Sequence, residues 1–277
     1  MKRVIYLTLL LFVLLSFNKK QEFNLVKTKS GLLVDKTEIT NLNWKEYLSW
    51  IEKKHGEKSP EYQQALPDTL VWRENNGNSE PYVEYYFRHP AYAAYPIVGI
   101  SYNQALAYCK WRSDRVNEKI YIQNNKIATN ELPLKNIPVV YTFRLPSKQE
   151  WLSFSDVDID KKFQKRIIKK HPNRYSIISE KMVFGNFITN LIDDANKTGT
   201  LKNNADITTA VGSYYPNIYG IYNTFGNIAE MTDKKGVAMG GHWKENLDNF
   251  KIEKEYNYTK PTCWLGFRCV AEKNNTP

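Results

Sequence analysis

The stretch YNTFGNIAEMT, residues 222–232, sets a glycine and two asparagines among aromatic and small apolar residues, with a lone acid near its end. Glycine and asparagine tolerate backbone conformations that other residues avoid, so Asn223, Gly226 and Asn227 predict a tight loop. A turn alone does not require Glu230. A hard divalent cation does, because calcium takes roughly six to eight oxygens, and a tight loop can turn carbonyls inward between amide and carboxylate anchors. The alternative is a glycine turn ahead of a strand, with Glu230 facing solvent.

Working outward, residues 32–39 alternate loosely and predict a strand. From Asn43 the period becomes helical, with Tyr47, Leu48 and Ile51 on one face and Gly56 as a stop. Residues 57–95 carry aromatics and prolines with no period, which predicts ordered coil with a short helix. Ile97–Ile100 reads as a short buried strand. Ser101 and Gln104 form a capping box that opens a helix to about Glu118, with Ala105, Cys109, Arg112 and Val116 inside. A further strand ends at Arg144, and a helix starts at Ser147. No internal repeat and no interdomain linker is visible, so the 277 residues predict one α+β domain with long loops.

The first twenty residues, MKRVIYLTLLLFVLLSFNKK, place Lys2 and Arg3 ahead of a fourteen-residue apolar run. That run has the length of a signal-peptide core and is short for a bilayer span. Residues 1–20 are therefore expected to direct export, to the periplasm or an outer-membrane-associated site. The alternatives are a buried helix of the mature domain and an uncleaved inner-membrane anchor. No small-x-small cleavage pattern precedes the lysines, and no cysteine follows the run to take a lipid.

Much of the formal net charge of +10 lies in residues 160–174, DKKFQKRIIKKHPNR. Such a segment suits lipopolysaccharide, peptidoglycan or an acidic protein; the plainer reading, a solvated surface helix that buries Phe163, Ile167 and Ile168, is preferred. No nucleic-acid motif, phosphate loop or nucleophile elbow is present. The three cysteines, Cys109, Cys263 and Cys269, match no metal spacing, and the odd count in an exported chain suggests one disulfide and one spare thiol.

Six phrases occur in order: VDKTEITN (34–41), YPIVGISYNQALAYCKW (95–111), FRLPSKQEW (143–151), VGSYYPNIYGIYNTFGNIAEMT (211–232), MGGHW (239–243) and LGFRCVAE (265–272). Together they resemble the sulfatase-modifying-factor family, whose archetype is the formylglycine-generating enzyme, over residues 30–272, with a polar tail at 273–277. A narrower likeness in LPDTLVWRE (66–74), YVEYYFRHPAYAAYPIVGISY (82–102) and CKWRSDRVNE (109–118) is to the gliding-motility lipoproteins GldJ and GldK of the Bacteroidetes, which work with the type 9 secretion apparatus. The family resemblance implies a loop-rich α+β fold related to C-type lectins and held by structural calcium. It implies calcium ligands at the Asn223 side chain, the Gly226 and Ile228 carbonyls and the Glu230 carboxylate. A second calcium would map to Asn186, Phe187, Asn203 and Ala205; Asn203 stands where the family has an acid, and Asp206 compensates if the loop shifts. The resemblance also implies a Cys109–Cys269 disulfide, leaving Cys263 over.

Formylglycine generation uses two copper-binding cysteines shortly after the Gly-Gly-Ser-Trp phrase. Here those positions hold Glu245 and Phe250, and neither can replace a soft thiolate ligand. The histidine iron site of the related sulfoxide synthases is missing as well, so neither copper nor iron is expected. His242 replaces the family serine and, with Glu245 and Arg268, is a candidate for lining the old groove. Two expectations follow. One is an exported, non-catalytic scaffold that binds an envelope protein or glycan, with a role in gliding or type 9 secretion implied by the narrower likeness. The other is an enzyme of altered chemistry in the same groove, which a clustering of His242, Glu245 and Arg268 in a deep pocket would favour.

Overall fold

The computed structural model describes residues 23–74, 79–127, 136–155, 207–214, 216–245 and 250–274. The leader, the basic segment 160–174 and the second calcium set lie outside these residues.

Helix α1 (Asn41–His55) starts where Thr40 Oγ1 accepts from the Asn43 amide while the Asn43 side chain accepts from the Thr40 amide. It stops at Gly56, whose φ of 90° closes the helix without a Cβ clash. Its buried stripe is Trp44, Tyr47, Leu48 and Ile51. The aperiodic stretch that follows becomes short pieces: α2 (Pro60–Ala65), a 3₁₀ turn (Thr69–Glu74), α3 (Glu80–Tyr85) and a second 3₁₀ turn (Pro90–Tyr92).

Ile97–Ile100 is buried as expected, but it is not a strand. Ile97 donates to Ile39 O and Gly99 to Thr262 O, while Gly99 O accepts from Asp68, so its bonds go to three unrelated partners. Gly99, at φ +73°, also breaks the extended run, and a Cβ there would meet Asp68 O at 2.2 Å. The backbone is satisfied without a ladder.

The Ser101–Gln104 capping box opens α4 (Tyr102–Asn125), which continues past Glu118 to a left-handed cap at Lys126. Ala105, Cys109 and Val116 face the core, and Arg112 reaches Asp35 with two bonds of 2.6 and 2.7 Å. Helix α5 (Lys148–Ser155) begins with Ser147 and Glu150 capping each other.

Two four-stranded sheets complete the architecture. The first runs β1 (Leu25–Lys27), β2 (Leu33–Asp35), β8 (Val270–Lys273), β3 (Tyr141–Arg144), antiparallel throughout. The second runs β6 (Tyr256–Asn257), β5 (Val237–Met239), β4 (Ala229–Met231), β7 (Leu265–Gly266), with β4 and β7 parallel. The strands are two to four residues long, so tertiary packing carries the fold more than ladder length does. The main core joins α1, α4 and both sheets around Trp44, Tyr108 and Phe267, whose rings lie 5.4 to 6.3 Å apart. Among the described residues no helix is long and apolar enough to cross a membrane.

Candidate functional site

The 222–232 loop descends into a buried polar cluster. Asn223 and Asn227 adopt positive φ (49° and 62°), as does Gly226 (73°), so the tight loop read from the sequence is present. Glu230, on β4, is fully buried, and Arg268 grips it from the loop between β7 and β8. Arg268 Nε donates to Glu230 Oε2 at 2.7 Å and Nη2 to Oε1 at 2.5 Å, while Trp151 Nε1 adds a third donor at 2.9 Å. Burial alone would lower the Arg268 pKa; the Glu230 charge and hydrogen bonds outweigh it and push the guanidinium up.

A second acid enters from a distant part of the chain. Glu38 is 1% exposed and accepts from Asn227 Nδ2 (2.8 Å) and Asn223 Nδ2 (3.1 Å). Burial is the main cause that lifts its carboxyl to about 7; Glu230 adds to the rise and Arg268 opposes it. Two carboxylates therefore face one guanidinium, and the cluster carries an excess of negative charge when Glu38 is ionised. Glu38 lies within the phrase VDKTEITN, where nothing local marks it for this role.

Asn223 spends its amide on Glu38 and on Val211 O, and its Oδ1 is buried with no donor. Outside the strand ladders, no described backbone amide or side chain donates to the Gly226 or Ile228 carbonyl. An orphaned amide oxygen, two carbonyls with no described donor and the buried Glu230 carboxylate, joined by a net negative charge once Glu38 ionises, are a donor set that fits a hard cation. Such an ion would share Glu230 with Arg268.

Of the three groove candidates, His242 and Glu245 are neighbours, the Glu245 amide donating to the His242 carbonyl at 2.7 Å, and among the described residues no hydrogen bond or ion pair joins either side chain to Arg268. Arg268 is fully buried in the cluster just described. His242 stacks on Trp264 (centroids 4.6 Å apart) and meets the edge of Tyr256 (5.3 Å). Burial, helped by Lys244 and Lys254, pushes its imidazole down to about 3, so it is neutral across the physiological range. Glu245 is tied to Lys254 Nζ at 2.9 Å, and Phe250 packs against Phe225 at 5.6 Å. Cys109 Sγ and Cys269 Sγ lie 3.5 Å apart as thiols, and burial, first, holds the Cys269 thiol well above its ordinary range. Cys263 is buried elsewhere, beneath Trp243, whose indole donates to its carbonyl.

These features meet a family match. The sulfatase-modifying factor enzyme 1-like domain covers residues 19–273. The chain belongs to that family. Its fold is that family's α+β fold in a single domain, although β1 lies ahead of residue 30. The chain is similar to the solved structure of CarF, at 16% identity over 86% of this chain and 85% of that one, with a TM-score of 0.45. It is also similar to Treponema denticola variable protein 1, at 17% identity over 88% of this chain and 84% of that one, TM-score 0.44. For PvdO from Pseudomonas aeruginosa the identity is 16%, the coverage 66% and 63%, and the TM-score 0.40. No curated protein matches.

Proposed function

We propose that this chain is an exported, non-catalytic binding protein of the sulfatase-modifying-factor family, stabilised by calcium and acting on an envelope protein or glycan, in gliding or type 9 secretion. The observation that carries the non-catalytic reading is what occupies the family's thiol positions. Glu245 is committed to Lys254 and Phe250 to Phe225, so neither soft ligation of copper nor a mixed disulfide with substrate is open to them. His242 supports the same reading, since an imidazole with a pKa of about 3 is a weak base and no acid near neutrality. The purified protein is expected to leave a cysteine-bearing sulfatase-type peptide unoxidised with copper and oxygen present, as followed by mass spectrometry; turnover would overturn the reading. Affinity capture from envelope extracts is expected to recover motility or secretion components.

Calcium is held by Asn223 Oδ1, the Gly226 and Ile228 carbonyls and Glu230, and its role is structural. The Asn186, Phe187, Asn203 and Ala205 set would hold a second ion. Melting in excess chelator is expected at a lower temperature than in millimolar calcium, because an ion present at a thousandfold its Kd adds about 4 kcal/mol to the folded state. Identical melting curves, with no calcium recovered by equilibrium dialysis, would remove calcium from the proposal.

In an oxidising compartment Cys109 and Cys269 form the disulfide, which closes a loop of 160 residues. Chain-entropy arguments put the gain at about 4–5 kcal/mol before any strain. Under denaturing conditions one titratable thiol is expected in oxidised protein and three after reduction. Three thiols in the secreted protein would sink the assignment.

A further inference from the structure

Asn223 presents its amide one way round only, and the cause lies in a distant part of the chain. Its Nδ2 donates to Glu38 Oε2 at 3.1 Å and to Val211 O at 3.0 Å. Both amide hydrogens are thereby spent, and Oδ1 is left buried with no donor. The oxygen and nitrogen of an asparagine amide are nearly isosteric, so the surrounding network decides which way each points. Turned over, Asn223 would set Oδ1 against Glu38 Oε2 and Val211 O. Acceptor would then face acceptor in a buried setting, which is costly.

The fold holds Glu38 where it can impose that orientation. Its other oxygen, Oε1, accepts from Asn227 Nδ2 at 2.8 Å, so one carboxylate spans two asparagines of the same loop, both at positive φ. Asn227 is fixed in turn, since its Oδ1 accepts from the Thr209 amide at 2.8 Å. The backbone on either side of Glu38 is pinned as well. Lys36 O accepts from Tyr222, the residue before Asn223, while Ile39 donates to Phe267 O and accepts from Ile97. An ionised carboxylate only accepts, whereas a glutamine would offer a donor as readily as an acceptor. A buried acid is thus committed to an amide whose oxygen has no described donor.

We infer that Glu38 is a positioning residue for the structural ion: it does not ligate, and it acts by holding Asn223 with Oδ1 free for the ion. The inference rests on the calcium reading above and extends it to a residue outside the ligand loop. Burial of Oδ1 suits this role, because a structural ion is enclosed by its own ligands. Partners that orient a metal's ligands typically contribute about 10–100-fold in affinity.

Equilibrium dialysis of the full chain against calcium tests it, on wild type and two variants. Glu38→Gln keeps the shape but offers one acceptor where two are needed. Glu38→Asp keeps the charge but withdraws the carboxylate by one methylene, so that it no longer spans both asparagines. Each is expected to bind calcium about tenfold more weakly than wild type. Glu38→Gln is expected to do so while melting in chelator, at about pH 8, no lower than wild type; a merely structural role would lower that melting temperature and leave the affinity of the folded protein alone. Wild-type affinity in Glu38→Gln would overturn the positioning role. Wild-type affinity in Glu38→Asp would overturn it too, since charge alone would then suffice. Either result, with calcium still taken up by wild type, leaves the calcium reading standing; no uptake by wild type at about 10 mM calcium overturns both.

Discussion

Replacing Arg268 with leucine is expected to cost about 3–5 kcal/mol of unfolding free energy, enough to leave a marginal domain unfolded. The side chain is fully buried, donates to both oxygens of Glu230 and also reaches the carbonyls of Asp35 and Tyr222. Leucine removes all of these donors and leaves Glu230 and Glu38 in the core without a counter-charge. The double variant Arg268→Leu with Glu230→Gln should recover much of the loss, because the stranded carboxylate is then gone. Urea unfolding of the two variants reads the difference. Equal destabilisation of single and double variants would mean that the packing of the arginine stem, and not its charge, is what matters.

The second large effect concerns Glu38. Its carboxyl is raised from an ordinary 4.5 to about 7 in the folded protein, with burial the leading cause. The folded state therefore holds a proton that the unfolded chain releases. The resulting stability is fully present below about pH 4.5 and disappears as pH rises to about 7, a swing of about 3 kcal/mol. His242 runs the other way: its folded pKa is depressed to about 3 by burial, so it takes stability away as pH falls through the mid-acid range. The difference between wild type and Glu38→Gln isolates the first effect, since both proteins retain His242. In excess chelator, the glutamine variant should gain on wild type by about 3 kcal/mol between pH 4.5 and pH 8. A pH-independent difference would place the ionisation of Glu38 outside the stability balance.

Much of this was legible because it is local. The Ser101–Gln104 box, the Gly56 stop and the Asn-rich loop at 222–232 each announce themselves within a few residues, and each is where the periodicity put it. The ordered phrases identified the family for the same reason. What stayed hidden is non-local. Glu38 meets Asn223 across 185 positions and Arg112 meets Asp35 across 77, and nothing in a single sequence announces such a pairing. An arginine beside Phe267 and Cys269 suits a groove as well as a core, and gives no sign that an acid 38 positions earlier will draw it inside.

The placement of β2 between β1 and β8 sets a rule of timing. Residues 33–35 zip onto 270–271, and Asp35 also accepts the Cys269 amide, so the earliest strands cannot be locked in the sheet until the final few residues arrive. Contacts so far apart make for slow folding. A chain emerging start-first from a ribosome therefore cannot close this sheet until residues 270–273 clear the exit. Losing the last ten residues would unmoor the opening strands as surely as cutting the strands themselves.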